Sequence, residues 1–327
     1  VNTVKRRSKF VAGAIALTLL AAACGGDDSS SEETTAPGEP SGDLSGDIAI
    51  DGSSTVAPLM KLTAEDFQDA NSGVTVTVGT SGTGGGFEKF CAGETDISNA
   101  SRPIKDEEIA VCEESGIEYT ELLVANDALS VVVSTENDFA ACLTVEQLNT
   151  MWAPEAEGTI TNWNQIDESF PDQELVLFGA GTDSGTFDYF TEAINGDGGV
   201  SRTDFNPSED DNVTVEGVSG SAGGIGYFGF SYLEENLDRV AAVAIDGGAG
   251  CVEPSIESVA DGSYTPLSRP LFIYVRNDAA ARPEVKAFAE FFVTNQDSIV
   301  SEALFVPLTE EQKAGEQAPE LEALLAL

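Results

Sequence analysis

The stretch VTVTVGTSGTGGGFEKF, residues 74–90, decides the fold. Valine at every second position over residues 74–78 has the two-residue period of a half-buried β-strand. The run GTSGTGGG (79–86) follows, in which four of the residues beyond Gly79 are glycine, and FEKFCAG then reads as a short helical turn. A strand, a loop of glycine and hydroxyl residues, and a helix form a βα unit. The start of such a helix presents unpaired N–H groups and the positive end of the macrodipole, which suits an oxyanion.

Two further stretches repeat the unit. Residues 48–50 (IAI) form a short apolar strand followed by DGSST, after which Val56, Leu59, Met60, Thr63 and Phe67 recur at helical spacing, so Ser53, Ser54 and Thr55 sit at a helix start. Residues 175–178 (LVLF) lead into GAGTDSGT, and Phe187, Phe190 and Ile194 mark the next helix face. Taken singly, each loop has an ordinary explanation, since Ser and Thr are N-caps and Gly is a turn residue. Three in one chain favour a shared ligand. None matches the phosphate-binding loop of nucleotide-hydrolysing enzymes or a dinucleotide fingerprint, so nucleotide binding has no support. A fourth segment, TDISNASRPIKDEE (95–108), places Ser101 and Arg102 in extended chain before Pro103, with a helix beginning near Lys105. The Arg102 guanidinium suits bidentate recognition of a tetrahedral oxyanion; its plainer role is a surface ion pair.

Charge narrows the choice of function. The 327 residues carry 15 Lys+Arg against 57 Asp+Glu, a formal net charge of −42, with no histidine. No basic cluster follows residue 9, and so acidic a surface repels nucleic acid and anionic membranes. Without histidine, Ser-His-Asp and Cys-His nucleophiles and most zinc ligand sets are excluded. A dianion can still be held, because short hydrogen bonds in a dry cleft outweigh charges beyond a Debye length of roughly 8 Å.

The beginning of the sequence has the pattern of a processing segment. Lys5, Arg6, Arg7 and Lys9 precede an apolar run over residues 10–23 that ends at LAAAC, which predicts a secretory signal peptide over 1–23. Cys24 stands where a lipoprotein signal places its acylated cysteine, with Leu20 one position earlier than the usual pattern has its leucine. Residues 24–46 are rich in Gly, Ser and acids and predict a flexible tether. Cys91, Cys112, Cys142 and Cys251 remain; outside the cytoplasm an even number suggests two disulfides, with three pairings open. Cys91 with Cys112 and Cys142 with Cys251 is favoured, because the first two are near in sequence and the second pair then brackets one lobe.

The order GSSTVAPL, GTSGTGGGF, TDISNASRPIK, GTDSGTFDYFTEAI, GSAGGIGYFGFSY and SRPLFIYV, over about residues 47–305, resembles the phosphate-binding lipoproteins of bacterial phosphate ABC transporters. The resemblance implies an α/β, two-lobed periplasmic-binding-protein fold of type II with hinge crossover strands, closing around one phosphate. It also implies a binding component with no catalytic residues, cofactor or metal. Its implied ligands are Ser54 and Thr55 from the first loop, Thr83 with Ser81 from the second, Ser101 and Arg102, and Ser184, Gly185 and Thr186. The family's proton-accepting aspartate falls at Ser101, and its loop arginine falls in Gly179-Ala180-Gly181. Arg102 is therefore expected to supply the guanidinium, and Asp183 or Asp51 the acceptor. The implied partners are inorganic phosphate and a membrane permease, with the chain a monomer held on the extracytoplasmic membrane face by lipid. Apolar runs at 122–133 and 269–275 are expected to carry the chain between lobes, giving 47–125 plus 268–327 as one lobe and 126–267 as the other. Residues 219–232 read as a buried strand with tight turns, Trp152 and Trp163 as packing, and the last eighteen residues as a weak helix prone to fray. Capture of another tetrahedral oxyanion such as sulfate is the alternative; an extracellular phosphatase using Ser184 beside Asp183 is a distant one, since GTDSGT lacks a nucleophile elbow.

Overall fold

The computed structural model of the chain describes residues 44–182 and 184–327. The expected signal segment, Cys24, the tether as far as residue 43 and Asp183 lie outside the described residues. Three βα units come first: β1 (Ser45–Gly52) and α1 (Ala57–Ala70), β2 (Gly73–Val78) and α2 (Gly82–Cys91), β3 (Ile97–Ala100) and α3 (Asp106–Glu114). Then follow β4 (Tyr119–Ser134), β5 (Cys142–Thr144), α4 (Val145–Trp152), β6 (Val176–Ala180), α5 (Gly185–Asn195), β7 (Asn206–Ser208) and α6 (Asp211–Ser219). The chain continues through β8 (Gly224–Gly229), α7 (Phe230–Glu235), β9 (Val240–Ala242), β10 (Ala244–Asp246), β11 (Cys251–Val252) and α8 (Ile256–Ala260). After β12 (Ser268–Arg276) come α9 (Asn277–Ala280), α10 (Pro283–Glu302), α11 (Glu310–Gln312) and α12 (Ala318–Ala326).

The larger sheet has the order β2-β1-β3-β12-β4-β8-β6-β7, with β9 also on β4; the smaller is β11-β10-β5. β1 is parallel to β2 and β3, and β6 is parallel to β7 and β8, whereas β12 runs antiparallel to β3 and β4. β4 joins the two sets. Its first part pairs with β12 from Tyr119 to Ala128, and its second part pairs with β8 and β9 from Leu129 onward. It is buried along almost its whole length, which explains why the sequence there is a nearly unbroken apolar run rather than an alternation.

Apolar side chains collect on either side of this crossing. Ile48, Leu59, Met60, Phe67, Leu122, Ile273 and Phe288 belong to one core, with Phe87, Phe90 and Tyr274 in a smaller one beside it. Leu129, Trp152, Trp163, Phe190, Tyr227 and Ile245 belong to another. The α1 stripe read from the sequence is the buried face of that helix, and its Phe67 meets Phe288 and Phe291 of α10 edge to face, both at 5.4 Å. Trp152 and Trp163 are both fully buried, and the Trp163 indole donates to the Gly223 carbonyl at 3.0 Å. Both favoured disulfides, Cys91–Cys112 and Cys142–Cys251, are formed.

Three expectations change. The glycine-rich run is the first half of α2 rather than a loop before it, because the helix must lie against the backbone of β1. A Cβ on Gly86 would stand 2.5 Å from Gly52 Cα. Residues 219–232 contain β8 but then turn into α7. The last segment does not fray: Leu324 is fully buried, and Gln317 is buried while donating to the Leu123 carbonyl at 2.7 Å. Among the described residues no helix is long and apolar enough to cross a membrane.

Candidate functional site

The carboxyl ends of β1, β2, β3 and β6 each run into a helix, and the turns between them meet. Open α/β sheets place ligands at such ends. The meeting point is a cleft of about 340 Å³ lined by the first-loop residues Ser53, Ser54 and Thr55, the α2 start at Thr83 and Gly84, the Ser101-Arg102 segment, and Gly185. The two sides are close, since a Cβ on Gly185 would lie 3.8 Å from Thr55 Oγ1. Six residues expected from sequence, Ser54, Thr55, Thr83, Ser101, Arg102 and Gly185, thus share one cavity.

Neither α1 nor α2 has a side-chain cap at its N-terminus. The first N–H groups of α2 are therefore left for solvent or ligand, whereas at the start of α1 the Ala57 amide donates to the Ser53 carbonyl at 3.1 Å and Pro58 has no N–H. Thr83 and Ser101 are tied together, with hydroxyl oxygens 3.1 Å apart and the Ser101 amide donating to Thr83 Oγ1 at 3.2 Å.

The remaining expected residues are placed differently. Ser81 turns away from the cleft, its amide and hydroxyl both donating to Asp51 Oδ1 at 2.9 Å. Asp51, expected as an acceptor for the ligand, instead also accepts the Gly52 amide at 2.7 Å and pairs with Lys89. It braces the two loops from behind, and its acceptors are spent. Ser184 caps α5, accepting the Thr186 amide at 3.1 Å, so both of those residues serve the helix start and Gly185 faces the cavity. Arg102 lines the cleft, but its Nη1 and Nη2 donate to the two oxygens of Glu108 at 2.8 and 2.7 Å. Most of its bidentate capacity is used within its own segment.

Arg269, which the sequence places at the opening of the return strand, lines the same cleft. Its Nε donates to Asp127 Oδ2 at 3.1 Å and its Nη2 to Thr55 Oγ1 at 3.0 Å, and its guanidinium lies 3.5 Å from the centre of the Tyr189 ring. Lys105 also borders the cleft, as do two acids of α5, Asp188 and Glu192. A signal for Arg269 did exist in the sequence. An arginine beside an apolar strand needs a counter-charge, and Asp127 is the one acid between the apolar runs 122–125 and 128–133. Among the described residues no cluster of three or more metal-ligating side chains occurs.

The bracing of Asp51 has a pH signature. Burial pushes its carboxyl up, but the Lys89 ammonium, the Ser81 amide and hydroxyl and the Gly52 amide together hold it at about 2. A folded-state value below the ordinary 3.8 means stability that is complete above about pH 4 and is lost as the pH falls toward 2. Asp51→Asn is therefore expected to lower the melting temperature at pH 7, and the gap from the unsubstituted chain should close between pH 4 and pH 2. A gap constant across that range in thermal melts would refute the assignment.

A family model described as a PBP superfamily domain matches residues 34–296. Protein SphX of Synechococcus elongatus is 50% identical over 262 residues, covering 80% of this chain and 77% of that protein. The phosphate-binding protein PstS of Staphylococcus saprophyticus is 37% identical, covering 85% of each. Among solved structures, that of a possible phosphate binding protein from Planctomyces limnophilus superposes with a TM-score of 0.83 at 45% identity, covering 86% of this chain and 99% of that one. The chain belongs to the PBP superfamily, with its two-lobed α/β fold, and within it to the family of PstS and SphX proteins.

Proposed function

We propose that the chain captures inorganic phosphate in the cleft at the ends of β1, β2, β3 and β6 and delivers it to an ABC permease for import. One observation carries this reading: the uncapped start of α2 converges, with the hydroxyls of Ser54, Thr55, Thr83 and Ser101, on one cavity bordered by Arg102, Lys105 and Arg269. Neutral N–H and O–H donors aimed at one point favour an oxyanion over any apolar or cationic ligand. The names of the staphylococcal PstS and planctomycete proteins support phosphate as that oxyanion.

The ligand set proposed is Ser54, Thr55, Thr83, Ser101 and Gly185 together with a guanidinium, for which the cleft offers Arg102 and Arg269. Asp188 and Glu192 supply the acceptor side in place of Asp51, because a carboxylate distinguishes a phosphate that has a proton to donate from a sulfate that has none. The division into lobes 47–125 plus 268–327 and 126–267 is supported by the separate apolar cores on either side of the crossing of β4 and β12. The chain acts by binding, without catalysis, as a monomer. A lipid on Cys24 holds it at the extracytoplasmic membrane face, as the apolar run before that cysteine and the acidic stretch after it suggest.

Calorimetric titration of the anion-free chain with phosphate and with sulfate, at fixed pH and salt, tests the reading. One phosphate bound tightly with no sulfate heat is the expected result. Equal binding of both would make the cleft a general oxyanion receptor and remove the acceptor role of Asp188 and Glu192; binding of neither would return the helix starts to ordinary structure.

A further inference from the structure

Two arginines border the cleft, and their surroundings are unlike. Arg102 is held by both oxygens of one carboxylate, with a further bond from Nη1 to the Pro103 carbonyl at 3.1 Å, and its side chain is 30% exposed. That pair is closed on itself at the edge of the cavity. Arg269 is 15% exposed and touches Asp127 through one oxygen only, Oδ2. A guanidinium has five donors in a fixed fork. Here Nε and Nη2 are committed to Asp127 and Thr55, while Nη1 stands 4.0 Å from Glu192 Oε2 and makes no hydrogen bond to a described residue.

The mounting is rigid. Arg269 lies directly across from Asp127 in the antiparallel pairing of β12 with β4, and its flat face rests on Tyr189. Tyr189 is itself fixed, its hydroxyl donating to the Pro266 carbonyl at 3.1 Å. The contact with Thr55 has a second consequence. A hydroxyl has one proton, and because Thr55 Oγ1 accepts from Arg269 that proton is free to point elsewhere, which in this position means the cleft. The two crossover strands therefore orient a donor on the first loop as well as a cation.

We propose that Arg269, aimed by Asp127 and Tyr189, is the charged residue that binds the anion, through Nη1 and through the hydroxyl it orients on Thr55, and that Arg102 contributes mainly to the shape of the cleft edge. The proposal rests on the phosphate reading of the site. It is favoured by distance: an anion bonded to Nη1 meets the guanidinium at about 3 Å, while Asp127 lies on the far side of the fork; Glu192, 4.0 Å from Nη1, is tolerated because a protonated phosphate donates to it.

The test compares Arg269→Gln, Arg269→Lys, Asp127→Asn and Arg102→Gln with the unsubstituted full chain, by calorimetric titration with inorganic phosphate and by thermal melting. Arg269→Gln is expected to weaken phosphate binding by about 100-fold and Arg102→Gln by less than about 10-fold. Arg269→Lys keeps the charge but loses the fork, and is expected to recover only part of the loss. Asp127→Asn leaves the cation in place but unaimed, and is expected to cost about 10-fold in affinity. Removing Arg269 alone strands a buried carboxylate, so a double variant Asp127→Asn/Arg269→Gln carries the same comparison if the single variant melts out. Phosphate binding by the unsubstituted chain, together with near-normal binding by the folded double variant or a 100-fold loss in Arg102→Gln alone, would overturn this proposal and leave the phosphate reading standing. Failure of the unsubstituted chain to bind would take both down.

Discussion

Gly86→Ala is expected to destabilise the protein by about 3 kcal/mol and to abolish anion capture in any fraction that remains folded. The cause is a contact between two backbones. A Cβ at position 86 would meet Gly52 Cα at 2.5 Å and Gly52 N at 3.2 Å, besides Ser98 Oγ at 3.0 Å; the serine hydroxyl can rotate away, but the Gly52 backbone has no end that could swing aside. Gly52 cannot retreat, since at φ +136° it already lies against the Asn99 carbonyl, 2.2 Å from where its own Cβ would be. The added methyl group would therefore push α2 off β1. The start of α2 and the loop after Gly52 are two walls of the cleft, so their separation would pull Thr83 away from Ser54 and Thr55. Gly84→Ala is the matching control: its Cβ would meet nothing within 4 Å, and alanine is the better helix former by roughly 1 kcal/mol. Melting curves should show a large fall for the first variant and none for the second; equal stability of the two would remove backbone approach as the reason for the glycine run.

That contact also explains what the sequence could and could not reveal. Each cleft loop is announced by residues next to one another in the chain, because a strand period, a turn and a helix stripe are all local patterns. Ser54, Thr55, Thr83 and Gly185 were therefore legible as helix-start residues, Ser101 as extended chain ahead of a helix, and the crossover runs at 122–133 and 269–275 as strands. The orientation of side chains within those loops was not. Ser81 and Thr83 are two residues apart, yet one bonds back to Asp51 and the other faces the cavity, a choice made by Lys89 drawing Asp51 to the rear. Arg269 depends on Asp127, 142 residues earlier, and on Thr55, 214 residues earlier; no local pattern records such partners. The last helices failed for another reason. Periodicity counts apolar residues, whereas Gln312 and Gln317 dock that segment through buried amide bonds to Asn126, Gln296 and Leu123, and buried polar networks carry no hydrophobic signal.

Loss of the Cys142–Cys251 disulfide is expected to cost more stability than loss of Cys91–Cys112, yet to disturb binding less. The first closes a loop of 109 residues and the second one of 21; chain entropy gives about 4.7 and about 3 kcal/mol respectively. Position reverses the order for function. Cys142 and Cys251 lie on the outer strands of the small sheet β11-β10-β5, and neither strand contributes a residue to the cleft. Their bond holds down β11, which has only two residues, against the core around Leu143 and Ile245. Cys91 instead ends α2 and Cys112 lies within α3, so this bond fixes the helix whose first turn carries Thr83 relative to the one that follows Arg102. Serine pairs at each site should separate the effects: Cys142→Ser/Cys251→Ser should show the larger fall in melting temperature with phosphate affinity within about 3-fold of the unsubstituted chain, and Cys91→Ser/Cys112→Ser the smaller fall with affinity lower by about 10-fold or more. If affinity instead followed melting temperature across both pairs, the cleft would depend on global stability alone, and the clamp between α2 and α3 would have no part in holding Thr83 against Ser101.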